Sequence, residues 1–280
     1  MTNSPDSVLW LGGPPGVGKT TIARLIARRH GLRWYNADAH TWEHRDRAIA
    51  MGHPAAIRYE EMSGPDRWSA PMEDRLAMSL HHVRGPMVRD NLWALPAAPL
   101  TIAEGTPITP EVVGSGPALW LLPTPELQRD RLDERDLHPG VRGLYQHLGE
   151  VIAAEVRQGG GRVVVVDGSR GLEHVVREVE GHFADVLAHG PVATGQSERR
   201  QLLRYANRAS VVQYQTFFTR SWARALGDAS DVVLPFSCEC AREGCEEQVD
   251  LAVADFPAPP DDTSPPLLTA GHDTHKRQTP

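Results

Sequence analysis

Residues 13–20 read GPPGVGKT, from Gly13, Pro14, Pro15, Gly16, Val17 and Gly18 to Lys19 and Thr20, and they fill G-x-x-x-x-G-K-[ST] at every constrained position. The chemistry this pattern can do is phosphate binding. Glycines let the backbone curl so that successive N–H groups and the start of the following helix, at Thr20 and Thr21, face phosphate oxygens; Lys19 reaches the terminal phosphates and the Thr20 hydroxyl ligates magnesium. Of 29 basic residues only Lys19 and Lys276 are lysines. A chain that otherwise places positive charge with arginine keeps a compact ammonium inside the glycine loop, as a phosphate clamp requires.

Other residues with chemical potential are spread along the chain. Asp38 ends a strand at 33–37, so it either faces the crevice as a proton acceptor or water-mediated magnesium ligand, or caps a helix beginning at Thr41. Two carboxylates, Glu104 and Asp167, end apolar runs and compete for the position beside the cradle strand; the earlier strand is the expected neighbour, which favours Glu104. Arg129, Arg131, Arg135 and Arg142 either converge on polyphosphate or pair with Glu126, Asp130, Asp133 and Glu134 at the surface. Cys238, Cys240 and Cys245 lie too close together for a disulfide framework; with His272 they form either a zinc site or a reduced thiol cluster.

The elements that must position these groups follow from pattern. Val8 to Leu11 reads as a buried strand and Ile22, Leu25 and Ile26 recur at helical spacing, the strand, loop, helix context of the motif. Residues 52–70 read as a loop. Residues 73–95 read as one helix kinked at Pro86, and 171–188 and 197–226 as two more helices. Apolar runs at 99–105, 118–122 and 162–168 read as buried strands, Gly190, Pro191 and Gly195 as a linker, and 257–280 as a mostly disordered tail. This divides the chain into 1–190, a 191–256 helix and cysteine module, and the tail. A net charge of -7 argues against nucleic acid as the main partner, and no apolar run approaches a membrane span, so the expected compartment is the cytoplasm.

With GPPGVGKT, the Asp38 strand end, IAEG and LLPTPELQRDRLDER placed in that order, residues 7–188 resemble the small P-loop kinases of the adenylate, shikimate and chloramphenicol phosphotransferase type. The resemblance implies an α/β three-layer sandwich with a five-stranded parallel sheet ordered 2-3-1-4-5, ATP with magnesium at the cradle, and a lid arginine segment. It carries Lys19, Thr20, Asp38 and Glu104 over as site residues, adds Arg131 and Arg135 from the lid, and makes 166–170, with Ser169, the adenine-side loop. The 39–98 insert departs from the pattern and names no acceptor. FSCECAREGCEEQVDL at 236–251, with a later Gly-His, is similar to an uncharacterised bacterial module, giving a small C-terminal α+β unit.

The leading expectation is therefore an ATP- and magnesium-dependent kinase acting on a small-molecule acceptor. The alternative is a nucleotide-dependent ATPase or switch regulating a zinc-organised interaction module. Against its usual forms, the chain contains neither N-K-x-D nor L-S-G-G-Q, and Asp167 is followed by Gly.

Overall fold

The computed structural model describes residues 7–273. The elements in chain order are β1 (Val8–Gly12), α1 (Lys19–His30), β2 (Arg33–Asn36), α2 (Thr41–Ala50), α3 (Pro54–Glu61), α4 (Gly64–Ser69), α5 (Met72–Ser79), α6 (His81–Ala94), β3 (Thr101–Gly105), α7 (Pro110–Val113), β4 (Ala118–Pro123), α8 (Pro125–Asp133), α9 (Pro139–Gly159), β5 (Arg162–Val166), α10 (Leu172–His182), α11 (Ala184–His189), α12 (Gln196–Phe218), β6 (Val233–Ser237) and β7 (Gln248–Ala252).

Strand β1 is apolar at four successive positions because both of its faces are covered. Leu9 and Leu11 pack with Ile22 and Ile26 of α1 and Val176 of α10, while Val8 and Trp10 point the other way, into a cluster with Val88 of α6 and Ile152 of α9. Two helical layers thus enclose one parallel sheet, ordered β2-β3-β1-β4-β5, the order that the resemblance implies. The central place of β1, between β3 and β4, delivers the loop that follows it into the crevice at the carboxyl ends of the strands. A second, two-stranded antiparallel sheet pairs β6 with β7.

Several elements depart from the sequence expectations. Residues 52–70 fold as α3 and α4 because Pro54 and Pro65 stand in first turns, where a missing N–H is harmless, and the Ser63 hydroxyl caps Asp66 N at 3.2 Å. The helix expected over 73–95 is two, parted at Leu80 (φ 59°), whose side chain is buried with Ala48, Ala56 and Met87; Pro86 lies inside α6. Phe183, buried in the main core, likewise parts α10 from α11, and α12 stops at Phe218.

Contacts also cross the boundary placed at 190. Ala193 N donates to Gly31 O (2.8 Å), and Arg220, just past α12, pairs with Asp46 (2.6 Å) and Glu60 (3.1 Å). Residues 274–280 lie outside the described residues; the described part of the tail expected from 257 forms neither helix nor strand through 273, and side chains of α12 and the cysteine segment contact it. Its proline-rich chain is poor in N–H donors, so its carbonyls need outside partners. Arg204 supplies one to Pro265 O (2.6 Å) while forming a buried bidentate pair with Glu239 (2.7 and 2.8 Å), and Leu267 N closes the network on Glu239 (3.0 Å). Among the described residues no helix is long and apolar enough to cross a membrane.

Candidate functional site

The cradle is shaped by backbone rather than by side-chain caps. Gly18, at φ 96°, stands at the N-cap of α1 and makes no side-chain cap bond, and the first turn holds no acidic residue, so its N–H groups are left for a ligand anion. Gly13 (φ 142°) admits no Cβ: one built there meets Leu121 O at 2.4 Å. Arg131 of α8 donates to Gly16 O (3.1 Å) and Val17 O (2.9 Å), so it braces the loop from behind; Arg135 instead lines the cavity in front. Arg142 pairs with Asp133 at 2.9 Å.

Lys19 is buried, 5% exposed, with Nζ 3.5 Å from Pro14 O and 3.8 Å from Asp38 Oδ2. Asp38 does not cap a helix. No side chain caps α2, and Asn36 caps only the short 3-10 turn at 37–40, accepting from Asp38 N (2.9 Å) and Ala39 N (3.3 Å); the Asp38 carboxylate meets Lys19, Arg84 Nη1 (3.5 Å) and the Thr106 hydroxyl (3.0 Å). Removal from water pushes this carboxyl up, but Lys19, Arg84 and Thr106 outweigh it and hold it below the usual range, so Asp38 is ionised at neutral pH. Gln213 of α12 reaches across to donate to Asp38 O (3.1 Å).

Glu104 sits on β3, in register with Leu11 of β1, and accepts from the Thr20 hydroxyl at 3.1 and 3.2 Å. It is fully buried, and burial first of all, with Asp38 adding to it, raises its carboxyl to about 7 against the pull of Lys19. A buried carboxyl so raised, beside a hydroxyl at a phosphate cradle, fits a place that receives a divalent cation. One consequence can be measured on the ligand-free protein. Between pH 4.5 and about 7 the folded state holds this proton more tightly than the unfolded one, so stability falls as pH rises across that window, by up to about 3 kcal/mol. Glu104→Gln is expected to flatten the urea midpoint against pH there; an unaltered slope in the variant rejects the assignment.

Asp167 and Ser169 lie beyond the end of β5, exposed, with Ser169 N and its hydroxyl bonded to Asp167 Oδ1 (2.9 and 2.7 Å); neither lines the cavity at the cradle. That cavity, about 480 Å³, runs from Gly16, Gly18 and Thr20 past Asp38 to a wall from α2 to α5. Sequence reasoning missed this wall. Its available signal was an insert in which Trp42, Tyr59 and Trp68 alternate with Arg45, Arg67, Arg75 and Arg84.

The sequence similarities cover less than the site. The family model for "ATPase family associated with various cellular activities (AAA)" matches residues 9–73. No curated protein matches the chain. Solved structures that align with it include a gluconokinase from Sinorhizobium meliloti 1021, at 18% identity over 66% of this chain and 95% of that one, with a TM-score of 0.39. Shikimate kinase from Acinetobacter baumannii, in complex with shikimate, aligns at 18% identity over 64% and 93%, TM-score 0.39. A sugar kinase from Janibacter sp. HTCC2649 aligns at 19% over 66% and 98%, TM-score 0.36.

At the other end of the chain, Cys238, Cys240 and Cys245 are buried and converge with His272. His272 Nδ1 lies 3.4 Å from Cys238 Sγ and 3.7 Å from Cys245 Sγ. Burial raises both thiols; at Cys238 the Thr269 N–H and other donors reverse the sign and bring it to about 6, whereas Cys245 stays pushed up to about 12. Arg28 of α1 donates to Cys238 O (2.9 Å), Cys240 Sγ (3.3 Å) and Arg242 O (3.0 Å), tying this cluster to the helix that carries Lys19 and Thr20.

Proposed function

We propose that this chain is an ATP- and magnesium-dependent kinase that transfers the γ-phosphate to a small-molecule acceptor. The observation that carries this reading is the cavity continuous with the cradle and passing Asp38, which has room for a second substrate where hydrolysis would need only a water. The cradle N–H groups and Lys19 hold the phosphates; Arg135 lies where it can meet charge that develops during transfer. Asp38 accepts a hydrogen bond from the acceptor hydroxyl and orients it. Its lowered pKa suits that role, because phosphoryl transfer asks more for positioning than for a strong base, and drawing Lys19 toward phosphate relieves part of the depression. Magnesium, held by the Thr20 hydroxyl with Glu104 behind it, would neutralise phosphate charge in the transfer.

The experiment is a screen of ADP formation against sugars, nucleosides, antibiotics and small acids, read over the acceptor-free rate. One class of acceptor is expected to raise that rate, and Asp38→Asn to lower the acceptor-dependent rate about a hundredfold with ATP affinity nearly unchanged. Equal turnover in the variant removes Asp38 from the mechanism.

We also infer that Cys238, Cys240, Cys245 and His272 bind one zinc. Bonds of about 2.3 Å to sulfur and 2.0–2.1 Å to nitrogen separate S from N by about 3.5 Å at a tetrahedral angle, and the two Sγ to Nδ1 distances, 3.4 and 3.7 Å, bracket that edge. One observation favours the alternative of a nucleotide-dependent switch: the Arg28 link between this cluster and α1. ADP formation that no acceptor stimulates but that Cys240→Ser alters at saturating magnesium would favour the switch over the kinase.

A further inference from the structure

Three arginines of the cavity wall, Arg45 of α2, Arg67 of α4 and Arg75 of α5, have no carboxylate in ion-pair contact among the described residues. Arg45 is 3% exposed, and Arg67 is 2% exposed. Their guanidinium carbons lie 3.7 and 3.8 Å from the centre of the Tyr59 ring. Arg67 spends donors on Tyr59 O (3.1 Å) and Met62 O (2.9 Å). Arg45 donates only from Nη2, to Met78 O (2.7 Å), leaving its buried Nε and Nη1 without partners, and Arg75 gives Nη1 to Gly140 O (2.7 Å) while its buried Nε has none. Glu60, the nearby carboxylate, is occupied by Arg220 and the Trp222 indole (3.1 and 2.8 Å).

A buried guanidinium with unpaired donors is unfavourable, and chains rarely keep one unless something binds it. Burial draws Arg45 down to about 10, so it stays charged at neutral pH. Among the described residues the one carboxylate lining the same cavity, Asp38, is already met by Lys19 and Arg84. We propose that the acceptor of this kinase carries an anionic group, carboxylate or phosphate, bound by the free donors of Arg45 and Arg75 while its hydroxyl meets Asp38. This rests on the kinase reading and adds the acceptor's chemical class: both faces of Tyr59 are taken by Arg45 and Arg67, and the Trp68 ring lining the same cavity suits a ring-bearing acid or phosphate ester over an uncharged sugar or nucleoside.

The test uses the full chain with the cradle filled by ADP and magnesium, titrated calorimetrically with benzoate, phenyl phosphate and the uncharged benzamide. Benzoate or phenyl phosphate is expected to bind and benzamide not, the tighter of the two naming the anion. Arg45→Met and Arg75→Gln are each expected to weaken that binding about tenfold or more; Arg75 is only half-buried, so its variant carries the test if Arg45→Met does not fold. No anion binding, benzamide binding equally well, or anion binding unchanged in the variants overturns the proposal. Arginine-dependent anion binding with no acceptor-stimulated ADP formation from any compound removes the kinase reading and keeps the anion site, whereas transfer to uncharged acceptors alone does the reverse.

Discussion

Lys19→Ala is expected to lower acceptor-dependent ADP formation about a hundred- to a thousandfold, while the chain still unfolds in one cooperative transition. The size follows from what the ammonium does: it is the single lysine among the described residues, set where phosphate charge must be offset, and loss of one aligned donor of this kind typically removes two to three orders of magnitude. Lys19→Arg is expected to fail nearly as badly, since a planar fork does not replace a compact point charge on a curled backbone. The side chain is more than a surface handle. Nζ is the largest of the groups that lower Asp38 and the main one restraining Glu104, so its removal raises both carboxyls. The variant should therefore melt somewhat lower at neutral pH, by a few degrees. Turnover comparable to the wild type would remove the kinase reading; collapse of the fold would show the lysine to be structural.

Chelation carries the second large effect. Elemental analysis of the purified chain should find about one zinc per molecule, and a strong chelator should release it and unfold residues 233–272, because binding energy at such a site is largely folding energy. Chelation should also reach further. Arg28 donates to Cys238 O and Cys240 Sγ, and Arg204 of α12 ties Glu239 to the tail, so hydrogen exchange should quicken at the carboxyl end of α1 as well as in β6 and β7. Cys240→Ser should mimic the chelator. A metal-free chain whose melting is unchanged by chelator defeats this assignment and His272 with it, and leaves the cradle argument intact.

The glycine loop and its lysine were legible because they are local. Gly13 to Thr20 needs only a strand before it and a helix after it, and all of that lies within thirty residues of sequence, as do the alternating faces of Val8 to Leu11. The carboxylates were partly legible. Glu104 could be ranked above Asp167 by expecting its strand beside β1, whereas Asp38 stood open between cap and crevice until the fold brought Lys19, Arg84 and Thr106 to its carboxylate. The insert at 39–98 was least legible: its helices are short, two carry proline in the first turn, and one break rests on Leu80 packing against Ala48, Ala56 and Met87, contacts distant in sequence.

What the amino-acid sequence determined by itself is thus the glycine loop, the strand and helix that present it, and the clustering of three cysteines, since each depends on residue type at short spacing; His272 reaches those cysteines only through the fold. Tertiary structure alone decided three things. It set Arg131 on the Gly16 and Val17 carbonyls, carried α12 over Asp38, and gathered Arg45 and Arg75 on one wall of a cavity with no acid to pair them. The physical reason is common to all three: a polar side chain's role depends on which partners surround it, and those partners, the Gly16, Met78 and Asp38 carbonyls among them, come from elements that only the packed fold brings together.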